Sequence, residues 1–229
     1  MGTICPKIGA ETGNRSPGRA MVESIQEQKR EIRRKMRALR SALPPGEPMD
    51  AGRGIVEALL SGRPPIAAPG PGSVVALYVS DGGEPDFIPS LPDFARAGIV
   101  CCFPAFHRDR MEFYAAAQAS DFAVGAYGLY EPAPTTPPIA GADIGVMLLP
   151  GMAFDRRGGR LGRGKGHYDR FLAQIDPRCR PLLLGTCHDF QVVDHVPANE
   201  ADIRMDFVLT PGGVLTPVPP AGAPKARPE

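Results

Sequence analysis

The chain has no tryptophan, and phenylalanine and tyrosine together supply only 7% of its 229 residues. It has almost no net charge: 26 lysines and arginines stand against 25 aspartates and glutamates, a formal +1. A dedicated nucleic-acid surface needs a broad excess of positive charge, so the balance argues against that class and confines any basic site to a local patch. No apolar run reaches the roughly 18 residues that cross a bilayer, and the N-terminus lacks the apolar core of a secretory signal. No membrane partner is expected. The five cysteines are odd in number and contain no C-x-x-C pair, which removes the common zinc and dithiol spacings. They read as reduced core thiols of a cytoplasmic protein. Cys101 and Cys102 are adjacent in an apolar run, so on a strand they point to opposite faces.

What is present suits one globular domain. Residues 1–22 are rich in glycine, proline and small polar residues, and "TPVPPAGAPKARPE" (216–229) is proline- and alanine-rich. Neither can bury enough apolar surface to offset the entropy of ordering it. The reading is a disordered leader over 1–22, a single α/β domain over 23–211 and a disordered tail over 212–229. Lys7, Arg15 and Arg19 against Glu11 give the leader a faint transit-like bias, which is set below the plain leader reading.

Within the domain, Ile25, Ile32, Met36, Leu39 and Leu43 recur at helical intervals over 23–43, and Pro44 and Pro45 stop that helix. A second helix is expected around 50–60, closed by Gly62 and Pro64, and a third within 87–98, ended by Gly98. Short apolar runs at 73–79, 99–103 (stopped by Pro104), 111–117, 143–150, 181–187 and 206–210 read as strands. Proline-rich 131–142 reads as a connecting loop. Continuous apolar strands alternating with helices predict a three-layer α/β/α domain with a mostly parallel sheet. In such folds sites lie at the carboxyl ends of the strands, here the loops 80–86 and 151–166.

The most informative stretch is "RLGRGKGHYDRFL" (160–172). As a dinucleotide fingerprint it fails, because the third glycine of G-x-G-x-x-G would fall on His167. As a phosphate loop it comes closer: Gly159, four residues, then Gly164 and Lys165. The hydroxyl residue that should follow is Gly166, so the usual magnesium ligand is missing, and Asp169 is the nearest carboxylate. The physics still favours an anion. Glycines let successive N–H groups face one concavity, Arg163 and Lys165 supply charge, and a helix starting near Gly166 or His167 points its positive end there.

The longer run "LLPGMAFDRRGGRLGRGKGHYDRFL" closely resembles the signature of the 5-formyltetrahydrofolate cyclo-ligase family. Three further segments fall in the family's order: Lys29 and Arg33 on the first helix, "LYVSDGGEPD" with Glu84, and "VPANEADIRMD" with Pro197, Asp202 and Asp206. The resemblance spans about residues 27–211. It implies the family's ribose-phosphate-isomerase-like fold, and ATP-dependent closure of 5-formyltetrahydrofolate to 5,10-methenyltetrahydrofolate with release of ADP and phosphate. It also implies ATP as co-substrate, Mg2+ as cofactor, a reduced folate as substrate, and a monomer or weak dimer.

Carried over residue by residue, it assigns ATP binding to Lys29, Arg33, Arg160, Leu161, Gly162, Arg163, Gly164, Lys165, Gly166, His167 and Tyr168. It assigns folate binding to Val79, Glu84, Met111, Arg163, Gly164, Lys165, Gly166 and His167. Metal binding goes to Asp169 and Asp202, with Asp206 a weaker neighbour. The chain departs from the family at Pro85 and at Phe87, where threonine is usual, and at His167, where tyrosine is common. His188 and Asp189 are also unusual and read as loop residues beside the usual Gln191. Two alternatives stay open at this point: a paralogue with the same ATP site and another formyl or amide substrate, and a non-catalytic nucleotide- or folate-binding protein.

Overall fold

The computed structural model describes residues 17–107, 110–125, 130–133, 135–198 and 202–217, with side chains from residue 24 onward. The leader reading for residues 1–16 and the tail reading for 218–229 fall outside the described residues. The helices are α1 (Pro17–Ser41), α2 (Glu47–Leu60), α3 (Leu91–Arg96) and α4 (His167–Leu172). The strands are β1 (Val74–Ala76), β2 (Val100–His107), β3 (Arg110–Ala115), β4 (Phe122–Val124), β5 (Tyr130–Pro132) and β6 (Val146–Pro150). They continue with β7 (Ala153–Asp155), β8 (Arg160–Leu161), β9 (Leu182–Thr186), β10 (Val192–Val193), β11 (Phe207–Thr210) and β12 (Gly213–Leu215).

Seven strands form the main sheet in the order β12-β11-β9-β6-β1-β2-β3. The five inner strands are parallel, and β3 and β12 close the edges as antiparallel partners of β2 and β11. Burial follows the two-residue period of a strand. Val75, Leu77, Cys101, Phe103, Leu148, Leu184 and Leu209 face one way, onto Ile55, Val56 and Leu59 of α2 and Phe94 of α3. Ala76, Cys102, Met147, Leu149, Leu183 and Val208 face the other, onto Phe154, Met205 and Leu172 of α4. Each fully buried Leu, Ile or Phe contributes about 1.5–3 kcal/mol. The three layers follow from this, and Cys101 and Cys102 do part to opposite faces.

Several features differ from the sequence reading. Helix α1 begins at Pro17, so residues 17–22 are helical rather than leader; proline's fixed φ is preorganised for a first helical position. Strand β12 lies inside the expected tail, because Pro211-Gly212 turns the chain back and pairs Val214 with Leu209. Pro104 does not stop β2. The parallel neighbour β1 ends opposite Cys102, so beyond it β2 pairs only with β3 and the missing N–H of Pro104 breaks no second ladder. On α1, Leu39 is exposed, and the inward face is Lys29, Ile32, Arg33, Met36 and Arg40. That face is half cationic, which an apolar stripe does not reveal.

A small sheet, β10-β7-β8, sits at the carboxyl end of the main strands. Met36 of α1 packs there with Met152, Ala153, Leu161 and Val196. This contact lays α1 across the strand ends, where its cations meet the loops after β1 and β8.

Candidate active site

One cleft of about 900 Å3 opens at that end of the sheet. Its lining includes Lys29, Arg33, Val79, Glu84, the whole run Arg160–Asp169 and Asp202. Residues from four separate segments, spread over most of the chain, are thereby brought to one place.

The glycine loop follows the two-residue strand β8, the return leg of a hairpin with β7. Asp155 holds this hairpin. It is 2% exposed, its Oδ1 accepts from the N–H groups of Arg157 (2.8 Å) and Gly159 (2.9 Å), and its Oδ2 accepts from Val196 N–H (2.8 Å). Gly164 (φ 97°) and Gly166 (φ 64°) then take left-handed conformations that side-chain-bearing residues adopt only at a cost. Gly166 is the residue before α4, which has only six residues. Its dipole is correspondingly small, so the attraction for an anion rests mainly on the cations and on loop N–H groups.

The cations are fixed in place. Arg33 Nε donates to Gly162 O at 2.9 Å. Burial first, then repulsion by Arg37, lowers the Arg33 pKa. Lys29, 7% exposed, places Nζ 2.8 Å from Asp202 Oδ2. Arg160 donates to Asp169 Oδ1 at 2.9 Å and to Pro150 O at 3.3 Å, with its guanidinium 5.7 Å from the Tyr168 ring centre. Asp169 and Asp202 thus share the cleft, each paired with a cation that also faces it.

Glu84 stands elsewhere in the cleft wall and is 3% exposed. Its Oε1 accepts from Arg163 Nη2 at 2.9 Å, and Arg40 Nη1 lies 3.7 Å away. Burial raises its pKa above the usual carboxylate range, while Arg163 pulls it back down. Asp81 binds both Arg40 and Arg163. His167 lies at the foot of the loop, its ring 5.0 Å from Phe106 and its Nδ1 3.1 Å from Arg170 Nη2.

Met111 is not in the cleft wall. It is 8% exposed and packs with Ala76, Phe113 and Phe154, because strand alternation turns it into the core. Asp206 is also elsewhere: it accepts from Leu183 N–H at 2.8 Å, between β9 and β11. Phe87 is fully buried against Tyr78 (ring centres 5.2 Å apart) and faces the core. His188 is 2% exposed and stacks on Phe190 at 5.4 Å, and Asp189 holds Thr210 and Gly212, so both are structural rather than loose. Gln191 donates to the carbonyls of Gly151 (2.9 Å) and Met152 (3.1 Å), securing the loop after β6. The sequence reading gave no role to Asp155 or to Glu131, a second buried carboxylate in the cleft wall. The only signal for Asp155 was its place after Phe154 in the long motif.

The profile of the 5-formyltetrahydrofolate cyclo-ligase family matches residues 25–211. The chain belongs to that family. A 5-formyltetrahydrofolate cyclo-ligase from Mycolicibacterium smegmatis is 33% identical over 148 residues, covering 61% of this chain and 74% of the relative. One from Escherichia coli K12 is 30% identical over 185 residues, covering 78% and 98%. Among solved structures, the Aquifex aeolicus 5,10-methenyltetrahydrofolate synthetase superposes with a TM-score of 0.68 at 27% identity, covering 87% of this chain and 96% of that one. A Mycoplasma pneumoniae 5,10-methenyltetrahydrofolate synthetase gives 0.62 at 23% identity, covering 80% and 98%, which supports the fold. The cyclo-ligase fold is therefore the observed one, with the cleft at the carboxyl ends of its parallel strands.

Asp169 and Asp202 both line the cleft, and two carboxylates are a donor set suited to magnesium. Among the described residues no group of three or more His, Cys, Asp or Glu side chains converges on one point. Magnesium bound through one or two carboxylates takes its remaining oxygens from phosphate and water.

Proposed function

We propose that the chain converts 5-formyltetrahydrofolate to 5,10-methenyltetrahydrofolate with conversion of ATP to ADP and phosphate. The observation that carries this reading is the meeting, in one cleft, of a cationic glycine loop, the Lys29–Asp202 pair and the buried carboxylate Glu84.

The chemistry explains why both halves are needed. A formamide oxygen is a poor leaving group. Attack of that oxygen on the γ-phosphorus, with ADP departing, turns it into a phosphate ester. The neighbouring folate nitrogen then bonds to the formyl carbon, the carbon–oxygen bond breaks, phosphate leaves and the nitrogen loses its proton. Little covalent chemistry falls to the protein, which must align oxygen and phosphorus and neutralise charge.

In this reading Lys29, Arg33, Arg163 and Lys165, with loop N–H groups of residues 160–168, hold the triphosphate. Asp169 and Asp202 would hold magnesium, which neutralises charge on the phosphate oxygens. Glu84 and Val79 hold the pterin, and Arg163, which reaches Glu84, links the two halves. His167, beside Phe106, sits where nucleotide and folate meet. The enzyme works in the cytoplasm as a monomer or weak dimer, engaging neither membrane nor nucleic acid; the near-zero net charge supports the last point, and among the described residues no helix is long and apolar enough to cross a membrane.

The test is turnover. Purified protein with MgATP and 5-formyltetrahydrofolate should produce the methenyl absorbance and release phosphate, each only when both substrates are present. Tight ATP binding with no folate-dependent turnover would refute the reading.

A further inference from the structure

Glu131 lies in the proline-rich stretch that the sequence marks only as a connection. It is nonetheless 8% exposed, and it lines the cleft. Oε2 accepts a hydrogen bond from Phe106 N–H at 3.2 Å. Oε1 is buried and has no hydrogen-bond partner. A buried carboxylate oxygen without a donor is costly, and such exceptions in a native structure call for a cause. No cation offsets it: Glu84 has Arg163 and Arg40, whereas no salt bridge to Glu131 occurs among the described residues.

Its surroundings narrow the kind of donor that would complete it. Phe106, whose N–H holds Oε2, presents its ring to His167 at 5.0 Å. Tyr130, the preceding residue, is 60% exposed and lines the same cleft. Rings beside a carboxylate suit a flat heterocycle with N–H groups along its edge. A triphosphate offers no such donor and is repelled by the negative charge; its place is with Lys29, Arg33 and Lys165.

The carboxylate is also seated rather than loose. A Cβ on Gly125 would lie 2.4 Å from Glu131 Cδ, so the backbone of that glycine packs directly on it. The terminal torsion of a glutamate is broad and roughly two-fold, so the group can turn in place and exchange which oxygen meets Phe106 and which meets the cleft.

We propose that Glu131 is a substrate-recognition residue whose unpartnered carboxylate oxygen accepts an N–H from the ring edge of the bound reduced folate. The inference rests on the folate reading above and adds a second recognising carboxylate to Glu84. The adenine amino group is the other ring donor that the two substrates bring, and the experiment separates the two.

Glu131→Gln keeps an oxygen for Phe106 N–H but turns an amide donor toward the ligand's donor. The full-length wild type and this variant are titrated with 5-formyltetrahydrofolate alone and with ATP alone by calorimetry, and melted in parallel. The expected result is a folate Kd raised by about tenfold or more, an ATP Kd changed by less than about twofold, and a melting temperature equal to or above that of the wild type. Glu131→Ala should weaken folate to a similar degree while also lowering the melting temperature, because Phe106 N–H loses its acceptor. An unchanged folate Kd in Glu131→Gln overturns the proposal, as does a rise confined to the ATP Kd. If the wild type neither binds nor turns over the folate, the functional reading falls and takes this inference with it. Wild-type turnover with an unaltered variant Kd refutes the Glu131 inference alone.

Discussion

Lys29→Ala is the sharpest probe of the nucleotide half of the cleft. The ammonium is almost enclosed, and its ion-pair partner is Asp202, at 2.8 Å. The Asp202 side chain is 31% exposed, so water takes over part of the lost pairing and folding stability should fall by only about 1 kcal/mol. Nucleotide binding should suffer more. A charge-assisted hydrogen bond to phosphate contributes about 1.5–3 kcal/mol, which is a 10- to 150-fold rise in the ATP Kd. Calorimetric titration with a non-hydrolysable ATP analogue, beside a thermal melt, measures both effects. Lys29→Arg should recover most of the affinity. An ATP Kd within about threefold of wild type, with the melting temperature lowered, would show that the Lys29–Asp202 pair is structural only and that the nucleotide lies elsewhere.

Three other variants probe the loop and its support. Arg163→Gln removes the strongest influence pulling the Glu84 pKa down, so the protonated form of Glu84 should persist to higher pH and the acidic limb of the folate kcat/KM profile should move toward neutrality; an unmoved limb would disconnect Glu84 from substrate binding. The same raised pKa means that Glu84's contribution to folding is greatest below the ordinary carboxylate pKa and fades as pH rises through the folded-state value. Gly166→Ser restores the hydroxyl of a phosphate loop but puts a side chain at φ 64°, with its Cβ 3.2 Å from Arg170 Nη1; stability should drop by about 1 kcal/mol and the magnesium dependence should not improve, as a melt and a magnesium titration would report. Asp155→Ala strands three backbone N–H groups, at about 1 kcal/mol or more each, so the melting temperature should fall by roughly 6–12 °C; a fall of under about 2 °C would mean that the hairpin is held by other contacts.

The glycine loop was legible in the sequence because backbone geometry imposes its own residue type: Gly164 and Gly166 adopt conformations that few other residues tolerate. The parallel sheet was legible because strands buried on both faces must be apolar throughout, and the split of Cys101 from Cys102 follows from strand period alone. Helix α1 was legible as a helix, but not its working face. The apolar stripe pointed to Leu39, whereas Lys29, Arg33 and Arg40 turn inward to meet partners more than 40 residues distant, at Asp202, Gly162 and Asp81. Asp155 and Glu131 were illegible for a related reason. Their partners include backbone N–H groups of segments far along the chain, at Val196 and Phe106, and a backbone donor leaves no mark in the sequence. Pro104 misled because the argument from its missing N–H assumes two neighbouring strands, and at that point there is one.

The central claim is that the formyl oxygen is phosphorylated and leaves as phosphate. The most direct measurement is isotope transfer. 5-Formyltetrahydrofolate labelled with 18O in the formyl group is turned over with unlabelled MgATP, and the inorganic phosphate is analysed by mass spectrometry. The account requires one labelled oxygen in each phosphate formed. Unlabelled phosphate accompanying full formation of the methenyl product would contradict it.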